Sequence, residues 1–343
     1  TSETSPTSMS VRNRLPSIVS VVALIAGSAL YALHADYRQF LDTPFRVPAD
    51  GSVLAVKPGA GIGDIARELP EQPVLLRSAP YLEAYVRLNG LAARLKAGEH
   101  ASTPDTTPRA LIDRIVAGRV IQHTLVVLEG WTFQQLRQAL VAHPKIVQTL
   151  REASDAEIMA RLGRTGEHPE GRFFPDTYHF PSGTTDEAFL RRALLAMDRQ
   201  LEQAWSHRAP ILPLKDPYQA LILASIVEKE TGLAAERPAV AGVFARRLQK
   251  GMLLQTDPTV IYGLGPAFDG NLRRRDLSTD TPYNTYTRKG LPPTPIALPG
   301  AAALAAAVNP ASGDALYFVA TGNGGHIFSA TLAEHGRAVW QYQ

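Results

Sequence analysis

The sequence predicts an α+β protein in three parts: an N-terminal transmembrane helix, a small β-α-α-β unit and a larger domain of mixed helices and strands. Three observations carry this. An uncharged 19-residue run occupies residues 15–33. Helical-period segments then alternate with short β-branched runs bounded by Gly and Pro. Finally, a Pro/Gly-rich span over residues 281–297 is unable to form long regular elements. The 343 residues leave room for two domains, and 45% apolar with 20% charged residues is ordinary for a folded chain. The net charge of +3 comes from interspersed rather than blocked charges, so nucleic acid is not an expected partner. The chain has no cysteine, which excludes disulfides, thiolate catalysis and Cys-ligated zinc. No metal-ligand spacing and no phosphate-cradling loop stands out, so no cofactor is expected.

Residues 1–14 form a polar tail ending in Arg12 and Arg14. The run over 15–33 reaches about 28 Å as a helix, close to a hydrocarbon core of about 30 Å. Pro16 falls in the first turn, where proline is tolerated. Arginines precede the span, so the positive-inside rule places the tail in the cytoplasm and the rest of the chain outside. A cleaved signal peptide is the rival reading. The apolar run exceeds the usual h-region, and no A-x-A site follows it.

Residues 47–122 read as the small unit. A strand over 51–56 turns at Lys57-Pro58-Gly59. Ile62, Ile65, Ala66 and Leu69 recur at helical spacing. A second helix over 80–89 stops at Gly90, a short strand follows Lys96-Ala97-Gly98, and Thr107-Pro108 opens a helix that Gly118 ends. Two roles stand side by side for this unit, plain packing and glycan contact.

The larger domain spans 123–343. Residues 123–128 read as a strand, and Thr132 is the expected N-cap of a helix carrying Phe133, Leu136 and Leu140. Ser154 caps another helix. The aromatic run EGRFFPDTYHF (170–180) is either a buried anchor or a wall of a carbohydrate cleft. Asp186 opens a long helix over 187–206.

The stretch DPYQALILASIVEKETG (216–232) carries the chemistry. Asp216 is an N-cap and Pro217 takes the first helical position. The helix is apolar through Val227, then meets Glu228 and Glu230. Glu230 shares a face with Leu223, Ile226 and Val227, whereas Glu228 shares one with Leu221, Ala224 and Ser225. Both carboxyls meet the negative end of the helix dipole in an apolar setting, which raises a carboxyl pKa toward what a general acid needs. The more apolar face ranks Glu230 first. Two solvated glutamates, with Lys229 pairing either, is the bland alternative. Next comes a helix from Glu236-Arg237-Pro238 to Lys250, with Arg246, Arg247 and Lys250 expected outside. A polar loop, LQTDPTVIYG (254–263), follows. Gln255, Thr256, Asp257, Asn284 and Tyr286 are the residue types that recognise hydroxyl and acetamido groups. Asp257 has a turn-capping alternative before Pro258. A helix over 301–308, a strand over 316–319, a turn at 322–325 and a second strand from His326 precede a last helix bearing Leu332, His335, Val339 and Trp340. His326 either lines the cleft or makes a structural hydrogen bond.

The runs SIVEKETG, ARRLQKGMLLQTDPTVIYGLG, PYNTYTRKGLPPTPIALPG, YFVATGNGGHIFS and EGRFFPDTYHF strongly resemble the endolytic murein transglycosylase (YceG-like) family from about residue 45 onward. The resemblance implies a LysM-like subdomain at 47–122 and an α+β lytic transglycosylase domain at 123–343. It implies a lyase that cuts MurNAc-β-1,4-GlcNAc bonds inside peptidoglycan strands and leaves 1,6-anhydro-MurNAc ends. It places catalysis on Glu230 as general acid and base, with Glu228, Gln255, Thr256, Asp257, Asn284 and Tyr286 at the substrate. It implies a single-pass inner-membrane anchor with the enzyme in the periplasm, acting on nascent strands to limit their length, beside peptidoglycan synthases of the division or elongation machinery. A muramidase-type hydrolase and a non-catalytic glycan-binding scaffold are the rival functions.

Overall fold

The computed structural model describes residues 1–2, 15–69 and 78–342. The expected cytoplasmic tail, with Arg12 and Arg14, lies outside the described residues apart from Thr1 and Ser2. The chain divides into two compact units, Thr1–Gln122 and His123–Gln343.

The first unit starts with α1 (Leu15–Asp42), then β1 (Ser52–Val56), α2 (Ile62–Arg67), α3 (Ser78–Leu88), β2 (Gly98–Ser102) and α4 (Pro108–Ala117). The first helix runs past residue 33 to Asp42, because Phe40 and Leu41 bury in the unit's core with Leu54, Ile65, Leu82, Val86 and Ile112. Its upstream part is different: Ile18, Leu24 and Leu30 are exposed. It is the one helix among the described residues long and apolar enough to cross a membrane. β1 and β2 pair antiparallel with Ser52 opposite Ser102 and Val56 opposite Gly98. Thr107 caps α4 through Ala110 N, and Gly118 ends it in the left-handed conformation at φ 70°, where a side chain would be strained.

β3 (Gln122–Val126) begins at the last residue of the first unit, and the second unit continues through it to α5 (Phe133–Ala142), β4 (Ile146–Val147), α6 (Asp155–Arg161), β5 (Thr177–Pro181), β6 (Thr184–Thr185) and α7 (Asp186–Ser206). The strands pair as β3–β5 and, in parallel, β4–β6. Thr132 and Ser154 close capping boxes with Gln135 and Glu157. The cap of α7 is Thr185, and Asp186 is its first residue. The Asp186 carboxylate instead accepts from Thr149 N and Leu150 N, each at 2.9 Å. The aromatic run of 170–180 is core: Phe173 and Phe180 are fully buried, and Phe173 stacks on Phe133 at 5.0 Å.

The remaining elements are α8 (Pro217–Glu230), α9 (Arg237–Gln249), α10 (Asp257–Leu264), α11 (Arg274–Ser278), α12 (Ala301–Val308), β7 (Tyr317–Ala320), β8 (His326–Ser329) and α13 (Leu332–Tyr342). α8 is the axis. Ala220 to Val227 are all buried, so this helix presents no amphipathic stripe. Ala303, Ala306 and Ala307 of α12 share its core, small enough for close approach of the two helices. β7 and β8 form an antiparallel hairpin, Tyr317 opposite Ser329 and Ala320 opposite His326.

Two expectations are corrected. The polar loop of 254–263 becomes helical from Asp257, because Pro258 suits a first turn and Thr259 and Val260 bury against the domain. Arg247 is not outside: it is 7% exposed, with its guanidinium hydrogen-bonded to backbone carbonyls.

Candidate active site

The buried helix α8 delivers Glu230 to a cleft of about 580 Å³ lined by Arg247, Gln255, Asp257, Tyr286, Tyr317 and His326 among others. Thr231 ends α8 in an extended conformation, its N–H still bonded to Val227 O. The Glu230 carboxyl therefore sits in the last turn, half-buried at the cleft.

The opposite wall is built from hydroxyls and one strained residue. Gln255 has φ 50°, the only non-glycine residue in the left-handed region among those described. Such strain concentrates at functional sites. Its N–H donates to Thr285 O at 3.1 Å, and the next amide, Thr256 N, donates to Thr285 Oγ1 at 3.1 Å. The turn aims the Thr256 hydroxyl at Glu230 Oε1, to which it donates. Asp257 begins α10 and accepts a hydrogen bond from the Tyr286 hydroxyl. Thr259 and Thr285 share a hydroxyl contact of 2.9 Å beneath this wall.

Burial pushes the Glu230 carboxyl up to about 7. The Thr256 hydroxyl and His326 pull it down, and the Asp257 charge pushes it up. Burial together with the Asp257 carboxylate also raises the Tyr286 phenol, which keeps it a hydrogen-bond donor. His326 is held by Glu236, which accepts from its backbone N–H at 3.0 Å and meets its Nδ1 at 2.7 Å. His326 thus both lines the cleft and makes a structural bond. The histidine in turn holds the Glu236 carboxyl below the usual range.

The cleft brings together Glu230, Gln255, Asp257 and Tyr286, with Thr256 touching Glu230. It leaves out two other expected site residues. Glu228 is tied to Arg237 Nη2 at 2.7 Å and to Gly300 N at 2.9 Å. Burial raises its carboxyl, while Gly300 and Arg237 oppose the rise. Lys229 reaches the Gly130 carbonyl at 3.4 Å rather than pairing with either glutamate. Asn284 is buried. Its amide donates to the carbonyls of Asp276, Leu277 and Thr279, and its oxygen accepts from Tyr286 N at 2.8 Å, so it shapes the loop that carries Tyr286. Arg247, Tyr317 and His335 line the cleft as well, beyond the residues expected from the sequence. For Arg247 a signal existed: Val240, Phe244 and Arg247 lie at i, i+4 and i+7, the buried face of α9. No group of three or more metal-ligating side chains lies together among the described residues.

Residues 54–341 match the YceG-like family. A Bacillus subtilis protein named endolytic murein transglycosylase is 30% identical over 306 residues, covering 84% of this chain and 84% of that one. Two Streptococcus pneumoniae proteins of the same name are 32% identical over 213 residues. Those alignments take in 60% of this chain and only 37% of theirs. A YceG-like protein from Listeria monocytogenes has a solved structure that superposes with a TM-score of 0.55 at 31% identity, over 85% of this chain and all of that one.

Proposed function

The chain belongs to the YceG-like family, and from that membership and the geometry of the cleft we propose that it is a membrane-anchored endolytic peptidoglycan lytic transglycosylase with Glu230 as its acid and base. The observation that carries the assignment is a carboxyl pushed up to about 7, half-buried in a polar cleft and held by the Thr256 hydroxyl. Such a carboxyl is protonated often enough near neutral pH to act as an acid, and is a competent base once ionised. The protonated Glu230 gives its proton to the glycosidic oxygen between MurNAc and GlcNAc as the C1–O bond breaks. The carboxylate so formed takes the proton of the MurNAc C6 hydroxyl while that oxygen closes on C1. The product is a 1,6-anhydro ring, no water is consumed, and Glu230 ends protonated as it began. Asp257, steadied by Tyr286, supplies negative charge toward the oxocarbenium-like transition state, and Gln255 offers an amide to the sugar hydroxyls.

The exposed apolar length of α1 supports an inner-membrane anchor. In this reading the enzyme domain lies on the periplasmic side, where it meets nascent strands and limits their length. Resistance of the protein to alkaline extraction, and protease sensitivity of residues 123–343 in spheroplasts, test the two halves of that statement. The chemistry is tested by mass spectrometry of peptidoglycan digested with the wild type and Glu230→Gln: anhydro ends with the first and none with the second are expected.

The second carboxylate, Asp257, in the same cleft favours one alternative, a muramidase that delivers water to C1. Reducing MurNAc ends in that digest would replace the lytic reading by the hydrolytic one.

A further inference from the structure

The cleft contains a cation that the proposed acid–base chemistry does not use. Arg247 is nine-tenths buried, yet it lines the cleft with Glu230, Gln255 and Asp257. Its Nε donates to Leu316 O at 2.7 Å. Its Nη1 donates to Leu253 O at 3.1 Å, Leu254 O at 2.9 Å and Gln255 Oε1 at 3.3 Å. All four acceptors are neutral. Among the described residues no carboxylate pairs with it, and Nη2 donates to no protein atom. That nitrogen is not sealed from solvent either, so it opens toward the cleft. The guanidinium packs against the Tyr317 ring at 5.1 Å, and His335 stacks on the same ring at 5.2 Å.

A buried charge without a counter-ion is costly, and the backbone carbonyls repay only part of the cost. Burial accordingly pushes the Arg247 guanidinium pKa down. The other charges of the cleft do not quench it. Asp257 is engaged by Tyr286 and Glu230 by Thr256; of the two cleft histidines, His326 is engaged by Glu236 and His335 stacks on Tyr317. A guanidinium fixed by two of its nitrogens and open at the third is pre-organised for an external acceptor, and an anionic one gains most in a water-poor wall.

We propose that Arg247 is a carboxylate-binding subsite, which takes through Nη2 a carboxylate borne by the glycan strand and so selects strands with acidic substituents over neutral ones. The inference rests on the glycan-cleaving reading for the nature of the strand. Peptidoglycan offers the same chemistry from two sources: the lactyl carboxylate of MurNAc where the peptide stem is absent, and the stem's own carboxylates where it is present.

The test is binding of strands to the full chain carrying Glu230→Gln, so that no cleavage intervenes. The probes are peptide-bearing strands and peptide-stripped strands, each before and after amidation of their carboxyls. With Arg247 present, amidation is expected to weaken binding about tenfold, the scale of one hydrogen bond to a charged group. Adding Arg247→Gln weakens binding of the acidic strand by a similar factor and makes amidation inconsequential, while Arg247→Lys keeps a reduced preference. An amidation effect confined to stripped strands assigns the lactyl group, and one confined to peptide-bearing strands assigns the stem. The proposal is overturned if amidation changes nothing with Arg247 in place, or weakens binding equally in the arginine and glutamine proteins. The first of these outcomes needs no Arg247 variant to fold. Anhydro-end release by the wild type, measured separately, decides the parent reading, so a protein that binds acidic strands but never cleaves them retains the subsite and loses the enzyme.

Discussion

Removing one hydroxyl from the cleft should move the pH profile of cleavage in a defined direction. Thr256 is 2% exposed, and its Oγ1 makes one hydrogen bond among the described residues, to Glu230 Oε1. Valine keeps the shape and both backbone bonds to Thr285 survive, so Thr256→Val deletes that contact alone. The hydroxyl stabilises the ionised carboxylate and so lowers a pKa that burial otherwise raises. Losing it therefore sends the Glu230 pKa above about 7. A hydrogen bond to a charged group contributes about 1.5–3 kcal/mol, and 1.36 kcal/mol corresponds to about one pH unit. Glu230 is only half-buried, so solvent replaces part of the loss, and the lower end, about one unit, is expected. The first step requires protonated Glu230, so kcat/KM of the wild type falls as pH rises through about 7. In Thr256→Val this alkaline limb shifts up by about one unit, with a lower plateau because the carboxyl is less firmly oriented. Release of anhydro ends measured from pH 5 to 9 gives both quantities. A limb that stays in place or moves to lower pH refutes the assignment of the limb to Glu230 and of Thr256 to its control.

Three further outcomes follow from the same geometry. Glu230→Gln is expected to melt higher than the wild type at pH 8 and equally at pH 4. The folded carboxyl sits at about 7 against an ordinary 4.5, so the fold loses stability as pH rises between these values. The upper limit is about 3 kcal/mol, and thermal melts at the two pH values check it. Glu228→Ala should destabilise the fold by about 2–4 kcal/mol, because it strips Arg237 of its closest carboxylate and leaves only Glu129 at 3.3 Å. Urea titration reads the loss, and Glu228→Gln should keep far more cleavage activity than Glu230→Gln. Gln255→Val should cost about 1–2 kcal/mol by forcing a β-branched side chain to positive φ. Gln255→Gly should recover that stability in the same titration without recovering strand binding.

Much of this fold is written in local signals. The helix Ala301–Val308 and the hairpin strands flanking Gly322 to Gly325 coincide with expectation to within a residue or so, because Gly, Pro and apolar period mark such elements locally. The caps Thr132, Ser154 and Asp216 were legible for the same reason. The failures share a cause, which is burial decided by tertiary partners. The segment beginning at Asp257 looked like a loop because its polar residues are crowded. It is a helix because Thr259 finds Thr256 O at 2.8 Å and Thr285 Oγ1 at 2.9 Å, so a buried hydroxyl is satisfied by a strand of chain 26 residues away. Arg247 looked solvated because arginines usually are. It is buried because the carbonyls of Leu253, Leu254 and Leu316 happen to converge on it. Asn284 reads as a sugar ligand, and its amide partners are the carbonyls of Asp276 and Leu277 in α11 and of Thr279 just beyond it.

The two glutamates at the end of α8 show how far a face argument reaches. Helical spacing separates Glu228 from Glu230 by about 200°, so the helix end is bound to offer its two carboxyls to different surroundings. Spacing does not say which surroundings are which. The side that received Glu228 carries a buried guanidinium and the N-terminus of α12, two features that stabilise its carboxylate against the rise that burial imposes. The side that received Glu230 carries a hydroxyl donor, a neighbouring carboxylate and a cleft. A carboxylate locked to arginine cannot give up and regain a proton cheaply, whereas one balanced between burial, a weak donor and a like charge can do both near neutral pH. The division of labour between the two residues is thus set by Arg237 and Gly300 on one side and by Thr256 and Asp257 on the other, none of which belongs to the helix that carries them.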